Sequence, residues 1–119
     1  MLYPLIGARL HGWLDDLVAL VYLAGILLLH LGDGARAAAI AGAAVHFTLT
    51  RLTNYPQGTF KLIPFRAHAF IELGEGVGVL GAAALLTAGP GIGRAFLAFM
   101  GLTQFVAFGF SDYRAPQAR

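Results

Sequence analysis

A polar signature occurs twice in this chain, and this repeat restricts the possible folds more than any other feature. An Arg-x-His-x-x-x-acid pattern begins at Arg9 and again 57 residues later at Arg66. A hydroxyl-polar-Tyr triplet begins at Thr53 and again 58 residues later at Ser111. Written out, the segments are Arg9-x-His11-x-x-x-Asp15, Arg66-x-His68-x-x-x-Glu72, Thr53-Asn54-Tyr55 and Ser111-Asp112-Tyr113. Two apolar stretches inside each copy predict that the repeated unit is a helical hairpin.

The composition predicts that most of the surface faces lipid. Hydrophobic residues make up 58% of the 119 residues and charged residues 12%, against roughly 25% charged in ordinary soluble domains. Eight basic and six acidic side chains are too few to cover a soluble four-helix bundle of this size. We therefore expect residues 1–119 to form a single integral membrane domain in a lipid bilayer. An obligate soluble oligomer is the alternative.

Several classes of function are excluded or disfavoured by the same composition. The chain has no cysteine, which excludes disulfides and thiolate metal sites. Its net charge is only +2, and its basic residues are spread along the sequence. We therefore expect no nucleic-acid partner. The N-terminal apolar stretch is interrupted by charged residues and lacks a small-residue cleavage site, so it does not resemble a signal peptide.

Turn signals divide the chain into four predicted helices, because glycine permits left-handed dihedrals and proline lacks an amide proton. The turns lie at residues 32–34, 54–58 and 89–91. The predicted helices cover residues 10–31, 35–52, 65–86 and 93–110, and the two internal repeats cover about 8–58 and 65–116. The fold class is therefore an all-α, four-helix transmembrane bundle of two tandem hairpins, related as parallel repeats about an axis along the membrane normal.

The basic residues predict the orientation of the bundle. Helices 1 and 3 run in one direction, and helices 2 and 4 run in the opposite direction. The N-terminal ends of helices 1 and 3 and the C-terminal ends of helices 2 and 4 therefore lie on one side of the membrane. That side carries Arg9, Arg51, Lys61, Arg66, Arg114 and Arg119, and the other carries Arg36 and Arg94. The positive-inside rule places the basic side, with both termini, in the cytoplasm. We expect a multi-pass protein of the inner (cytoplasmic) membrane.

Two histidine–carboxylate pairs are the candidate metal ligands. His11 and Asp15 are four residues apart, as are His68 and Glu72, so each pair lies on one helix face. If helices 1 and 3 face each other, two imidazoles and two carboxylates converge. Such a set suits Zn²⁺, Fe²⁺ or Mn²⁺, and bundle cores are places where such sites are built.

Five further polar residues are candidate alternative ligands or supporting partners of this cluster. His46 lies seven residues before Thr53, and Gln104 lies seven residues before Ser111. The two hairpins therefore each carry a polar side chain at a similar depth. The full set is His46, Glu75, Asp112, Asn54 and Gln104. The tyrosines of the repeated triplets are interpreted as anchors at the membrane interface.

The same residues permit readings without a metal. Buried charge in lipid needs partners whatever its role, so the cluster can be a structural network within a non-catalytic interaction or assembly subunit. Proton or ion transport is a weaker alternative. Gly74, Gly78 and Ala82 form a small-residue face that permits close contact with helix 1 or a homodimer, and another membrane protein is a further possible partner. No motif assigns an enzymatic activity.

The repeated motifs resemble those of the SPW-repeat integral membrane proteins. The resemblance lies in the Arg-x-His-x-x-x-Asp opening from Arg9, the Thr-Asn/Asp-Tyr closures, and the connector ending at Ile63-Pro64. It covers nearly the whole chain and implies a small prokaryotic membrane protein of two helical hairpins, with no particular activity. The Ser-Pro-Trp element is absent, since residues 28–30 and 86–88 read Leu-Leu-His and Leu-Thr-Ala.

Overall fold

The computed structural model describes residues 4–88 and 91–114 and shows an all-helical protein. The described residues form four helices and no strand: α1 (Ala8–Leu28), α2 (Asp33–Leu52), α3 (Phe65–Leu85) and α4 (Ile92–Phe110). The predicted four-helix, all-α fold is confirmed. Helix α1 ends three residues earlier than predicted, at Leu28, and α2 begins two residues earlier, at Asp33.

The helices pack in chain order around the bundle. Helix α2 lies between α1 and α3, and α3 makes its most extensive contact with α4. The contact between α1 and α4 closes the ring, but it is less extensive than the contact between α2 and α3 and than the diagonal contact between α2 and α4. Helices α1 and α3 therefore lie on a diagonal, where their N-terminal ends meet through the side chains of His11 and His68.

The sequence repeat is reproduced in the backbone hydrogen bonds at one end of the bundle. The segment before α3 pairs in parallel with the residue after α2, through Ile63 and Thr53. The segment before α1 pairs in the same way with the residue after α4, through Ile6 and Ser111. Since the two pairs are related by the 57–58-residue offset, the hairpins are arranged about a pseudo-two-fold axis.

The opposite end of the bundle shows the same internal symmetry. The Arg36 guanidinium donates to the carbonyl oxygens of Ile26 and Leu29 at the end of α1. The Arg94 guanidinium donates to Ala83 and Thr87 at the end of α3. Each arginine thus satisfies terminal carbonyls of the odd-numbered helix in its own hairpin.

Two glycines allow the close crossing of α3 and α4. A Cβ atom at Gly76 would lie 2.9 Å from Cβ of Gln104, and one at Gly101 would lie 3.2 Å from the carbonyl oxygen of Gly76. A larger side chain at either position would push the helices apart. The small-residue face predicted at Gly74 and Gly78 makes no such close contact, because a Cβ atom at either position would meet nothing within 4 Å. Those two glycines leave their face of α3 uncovered.

The surface of the bundle is apolar, as expected for contact with lipid. Helices α1, α3 and α4 are long and apolar enough to cross a membrane. Large hydrophobic side chains are exposed along them, including Leu17, Leu20, Leu27, Phe70, Val77, Phe99 and Leu102. Helix α2 has 20 residues, which gives roughly 30 Å at 1.5 Å per residue, but it is not one of the three apolar spans. Its crossing of the bilayer stays a prediction.

Candidate metal centre

The four predicted ligands come together at the end of the bundle where α1 and α3 begin. One ligand atom from each of His11, Asp15, His68 and Glu72 lies within 4.8 Å of the other three. The four side chains come from the first eight residues of the diagonal helices α1 and α3. All four residues are buried, with no more than 2% of their surface exposed.

The distances between these atoms are short and similar. The two Nε2 atoms are 3.1 Å apart. Nε2 of His11 lies 3.4 Å from Oδ2 of Asp15 and 3.3 Å from Oε2 of Glu72. Nε2 of His68 lies 3.3 Å and 3.6 Å from the same two oxygens. In a tetrahedral zinc site with bonds of 2.0–2.1 Å, neighbouring ligand atoms are about 3.3–3.4 Å apart. Four atoms form six pairs, and these five distances are therefore near the value for a tetrahedral site.

Hydroxyl groups from the other two helices hold the far side of each imidazole. Nδ1 of His68 lies 2.8 Å from Oγ1 of Thr53, and Nδ1 of His11 lies 2.6 Å from Oγ of Ser111. The Thr53 hydroxyl donates its own proton to the carbonyl of Leu49. It therefore accepts from Nδ1–H of His68, which leaves the Nε2 lone pair of a neutral His68 directed at the cluster. This is the orientation that metal-bound histidines require.

Two tyrosines hold the carboxylates in an equally symmetric way. The Tyr55 hydroxyl donates to Oδ2 of Asp15 at 2.7 Å, and the Tyr113 hydroxyl donates to Oε2 of Glu72 at 3.0 Å. Burial, followed by the neighbouring carboxylate, raises the pKa of both tyrosines far above their ordinary value. Both phenols therefore remain protonated donors.

An aromatic cover separates the cluster from the surroundings of the bundle end. Tyr55, Phe65 and Tyr113 are buried and pack as a group. The Phe65 ring lies edge-on to the His11 ring at 5.1 Å and contacts the Tyr113 ring at 4.7 Å. The tyrosines are not interfacial anchors, since Tyr55 is fully buried and Tyr113 is 6% exposed. The interpretation of the two tyrosines as anchors at the membrane interface was wrong.

His46 and Glu75 extend the cluster toward the middle of the bundle. Nδ1 of His46 lies 3.1 Å from Oε2 of Glu75, across the contact between α2 and α3. Nε2 of His46 lies 3.0 Å from the backbone carbonyl of Asp15 and 3.8 Å from its Oδ1 atom. His46 thus supports the turn of α1 that carries Asp15.

The other three candidates lie outside the cluster. The Asp112 carboxylate accepts from the backbone and side chain of Arg114, and this neighbour lowers its pKa. Asp112 does not reach the histidines because its backbone is held by the pairing of Ile6 with the end of α4. The side-chain oxygen of Asn54 and both amide atoms of Gln104 are buried and have no hydrogen-bond partner among the described residues.

Four supporting residues were missed as site residues in the sequence: Thr53, Tyr55, Ser111 and Tyr113. The sequence did contain a signal for these four residues, because they occupy the first and third positions of the two repeated triplets. Their repetition with the same offset as the histidine motif indicated that they belong to one site.

The chain was compared with protein-family models, with curated proteins and with solved structures, and none of the three comparisons gives a match.

Proposed function

We propose that this protein binds one divalent metal ion through His11, Asp15, His68 and Glu72. The spacing of their ligand atoms carries the proposal, because five of the six interatomic distances are 3.1–3.6 Å and all four atoms lie within 4.8 Å of one another. The arrangement also has the supporting contacts that metal sites need, because each imidazole and each carboxylate is held from behind by a hydroxyl group.

Charge balance supports a cation at the centre. Asp15 and Glu72 are buried, and their ionised carboxylates need compensation by two positive charges. One divalent ion supplies both charges. The two Nε2 atoms are only 3.1 Å apart, and a cation that accepts both lone pairs would replace the direct contact between them.

Among the candidate ions, Zn²⁺ fits the ligand set best. Two imidazoles and two carboxylates give four ligands, and zinc accepts a tetrahedral shell of nitrogen and oxygen. Fe²⁺ and Mn²⁺ accept the same ligand types but would need further ligands for a larger shell. Four protein ligands form a closed site, so the ion would link α1 to α3 and hold the bundle end together.

The location of the site is part of the same proposal. The crowding of Lys and Arg at this end favours the cytoplasmic side of an inner membrane for the cluster. The resemblance to SPW-repeat proteins favours a small prokaryotic membrane protein of two helical hairpins.

Elemental analysis of untagged protein in mild detergent tests the proposal. We expect close to one transition-metal ion per chain in the wild type and none in the His11→Ala/His68→Ala variant. His30→Ala is the matched control, because His30 is exposed at the other end of the bundle, and it should retain the ion. A wild type that stays empty after supplementation with zinc, iron and manganese would contradict the proposal.

The second candidate is an assembly subunit in which the cluster is a purely structural network. Its specific support is that the hydroxyls and tyrosines already pair with all four side chains. In that case the double alanine variant loses thermal stability, and neither protein contains metal.

A further inference from the structure

A groove lies between α1 and α4 on the side of the bundle where the ring of helices is least tightly closed. Its volume is about 370 Å³, within the range of small-molecule sites. Its walls are mostly apolar, and the polar residues among its lining are Asp15, Glu72, Thr103 and Gln104. Side chains that line it include Leu14, Val18, Val21, Phe99, Thr103 and Gln104.

The internal symmetry explains why the groove exists. Across the contact between α2 and α3, His46 pairs with Glu75 at 3.1 Å. The corresponding positions across the contact between α4 and α1 hold Gln104 and Val18. Valine has no group to pair with an amide, so this contact lacks the polar link of its counterpart.

The side-chain amide of Gln104 is left without a hydrogen-bond partner as a result. The residue is 1% exposed, and neither its amide nitrogen nor its amide oxygen has a partner among the described residues. Buried amides are nearly always hydrogen-bonded. An amide that lines a groove without a partner therefore indicates a missing partner from outside the chain.

The mouth of the groove faces the lipid zone. It lies between two helices that are long and apolar enough to cross a membrane. Leu17, Leu102 and Val106, which line it, are each about half exposed or more. A ligand would thus enter sideways from the bilayer, so its body must be apolar.

The polar residues that line the groove restrict the headgroup of a ligand. An anionic head would meet the carboxyl groups of Asp15 and Glu72, and no basic side chain among the described residues lines the groove. A cationic head would have to compete with the tyrosine hydroxyls and imidazoles that already contact Oδ2 of Asp15 and Oε2 of Glu72. The group without a partner is the neutral amide of Gln104, which can donate and accept one hydrogen bond with an uncharged oxygen function.

We propose that the groove between α1 and α4 binds a membrane-soluble molecule with an apolar body and an uncharged carbonyl or hydroxyl headgroup, which hydrogen-bonds to Gln104. The inference goes beyond metal binding and does not require the ion. If the ion is present, the headgroup lies next to two of its ligands.

Photo-crosslinking in phosphatidylcholine nanodiscs tests this inference. The probe is a ten-carbon alcohol that carries a diazirine on its chain, with 1-decanol, decanoate, decylamine and decane as competitors. We expect labels on the facing sides of α1 and α4. We also expect 1-decanol to compete about tenfold better than the other three, as one hydrogen bond to a buried amide predicts.

Two variants separate groove binding from general lipid contact. Ala107→Phe fills the groove and should abolish the label. Gln104→Leu should keep the label but remove the preference for the alcohol, without lowering the thermal stability, because it replaces an amide that has no partner. Thr48→Val, on the exposed face of α2, is the control and should change nothing.

Several results would overturn the inference. These are labels spread evenly over the lipid-facing surface, a label that survives Ala107→Phe, or equal competition by the charged or plain hydrocarbon competitors. The experiment is run on chelator-treated and on zinc-supplemented protein. Groove labelling in a chain that never binds metal would refute the metal site alone, and a metal-loaded chain without labelling would refute the groove alone.

Discussion

The Thr53 hydroxyl fixes the ring of His68 in this structure, and this contact has a measurable consequence. Thr53→Val keeps the shape of the side chain but removes the acceptor for Nδ1–H. Loss of such a supporting contact typically lowers metal affinity about 10- to 100-fold. We expect a decrease of that size in a competition titration with a chromophoric zinc chelator. Thr48→Val should bind as the wild type does, and equal affinities for the two variants would refute the role of Thr53.

The tyrosines should be equivalent because the structure places them symmetrically. Tyr55→Phe and Tyr113→Phe each remove one donor from a buried carboxylate, and an unsatisfied buried acceptor costs about 1–3 kcal/mol. We expect both variants to lower the free energy of unfolding by similar amounts in detergent. A decrease in one variant alone would show that the two halves of the cluster are not equivalent.

At the scale of the helices, the crossing of α3 and α4 depends on Gly76 and Gly101. Gly76→Leu places a side chain where its Cβ already lies 2.9 Å from Gln104, and overpacking of this kind costs about 1–3 kcal/mol or more. We expect a clearly lower thermal midpoint. Gly78→Leu is the control within the same helix, because a Cβ there meets nothing within 4 Å. Leucine has a higher helix propensity than glycine, so equal loss in both variants would contradict the role of Gly76 in the crossing.

The helices themselves were predictable from sequence, and their ends less so. Turn residues gave the four elements, but α1 ends at Leu28, ahead of the predicted stop. The reason is a tertiary contact, since Arg36 takes the carbonyls of Ile26 and Leu29. Hydrophobic periodicity does not show that a carbonyl group at a helix end accepts a hydrogen bond from a side chain seven or ten residues away, in the next helix.

At the scale of the whole molecule, the repeat predicted the cluster, and the asymmetry between the halves was not predictable. His11 and His68 were expected to converge if helices 1 and 3 face each other, and the sequence left the arrangement of these helices open. Helices α1 and α3 lie on a diagonal, where the two histidine side chains meet. The groove arises because Val18 stands where symmetry would place an acid. A single apolar residue of this kind is unremarkable in a sequence.

The orientation of the molecule is testable independently of the metal. A reporter fused after Arg114 should be active as a cytoplasmic fluorescent protein and inactive as a periplasmic phosphatase, because basic residues are concentrated at that end of the bundle. A fusion in the turn between α1 and α2 should give the opposite result if α1 crosses the membrane. Cytoplasmic signals from both positions would contradict the predicted topology.

X-ray absorption spectroscopy at the metal edge of the purified protein tests the metal centre most directly. We expect one four-coordinate ion per chain, with nitrogen and oxygen ligands at about 2.0–2.1 Å and outer-shell scattering from two imidazoles. The His11→Ala/His68→Ala variant should give no signal. A six-coordinate ion, a spectrum without imidazole scattering, or no ion at all would contradict a centre formed by His11, Asp15, His68 and Glu72.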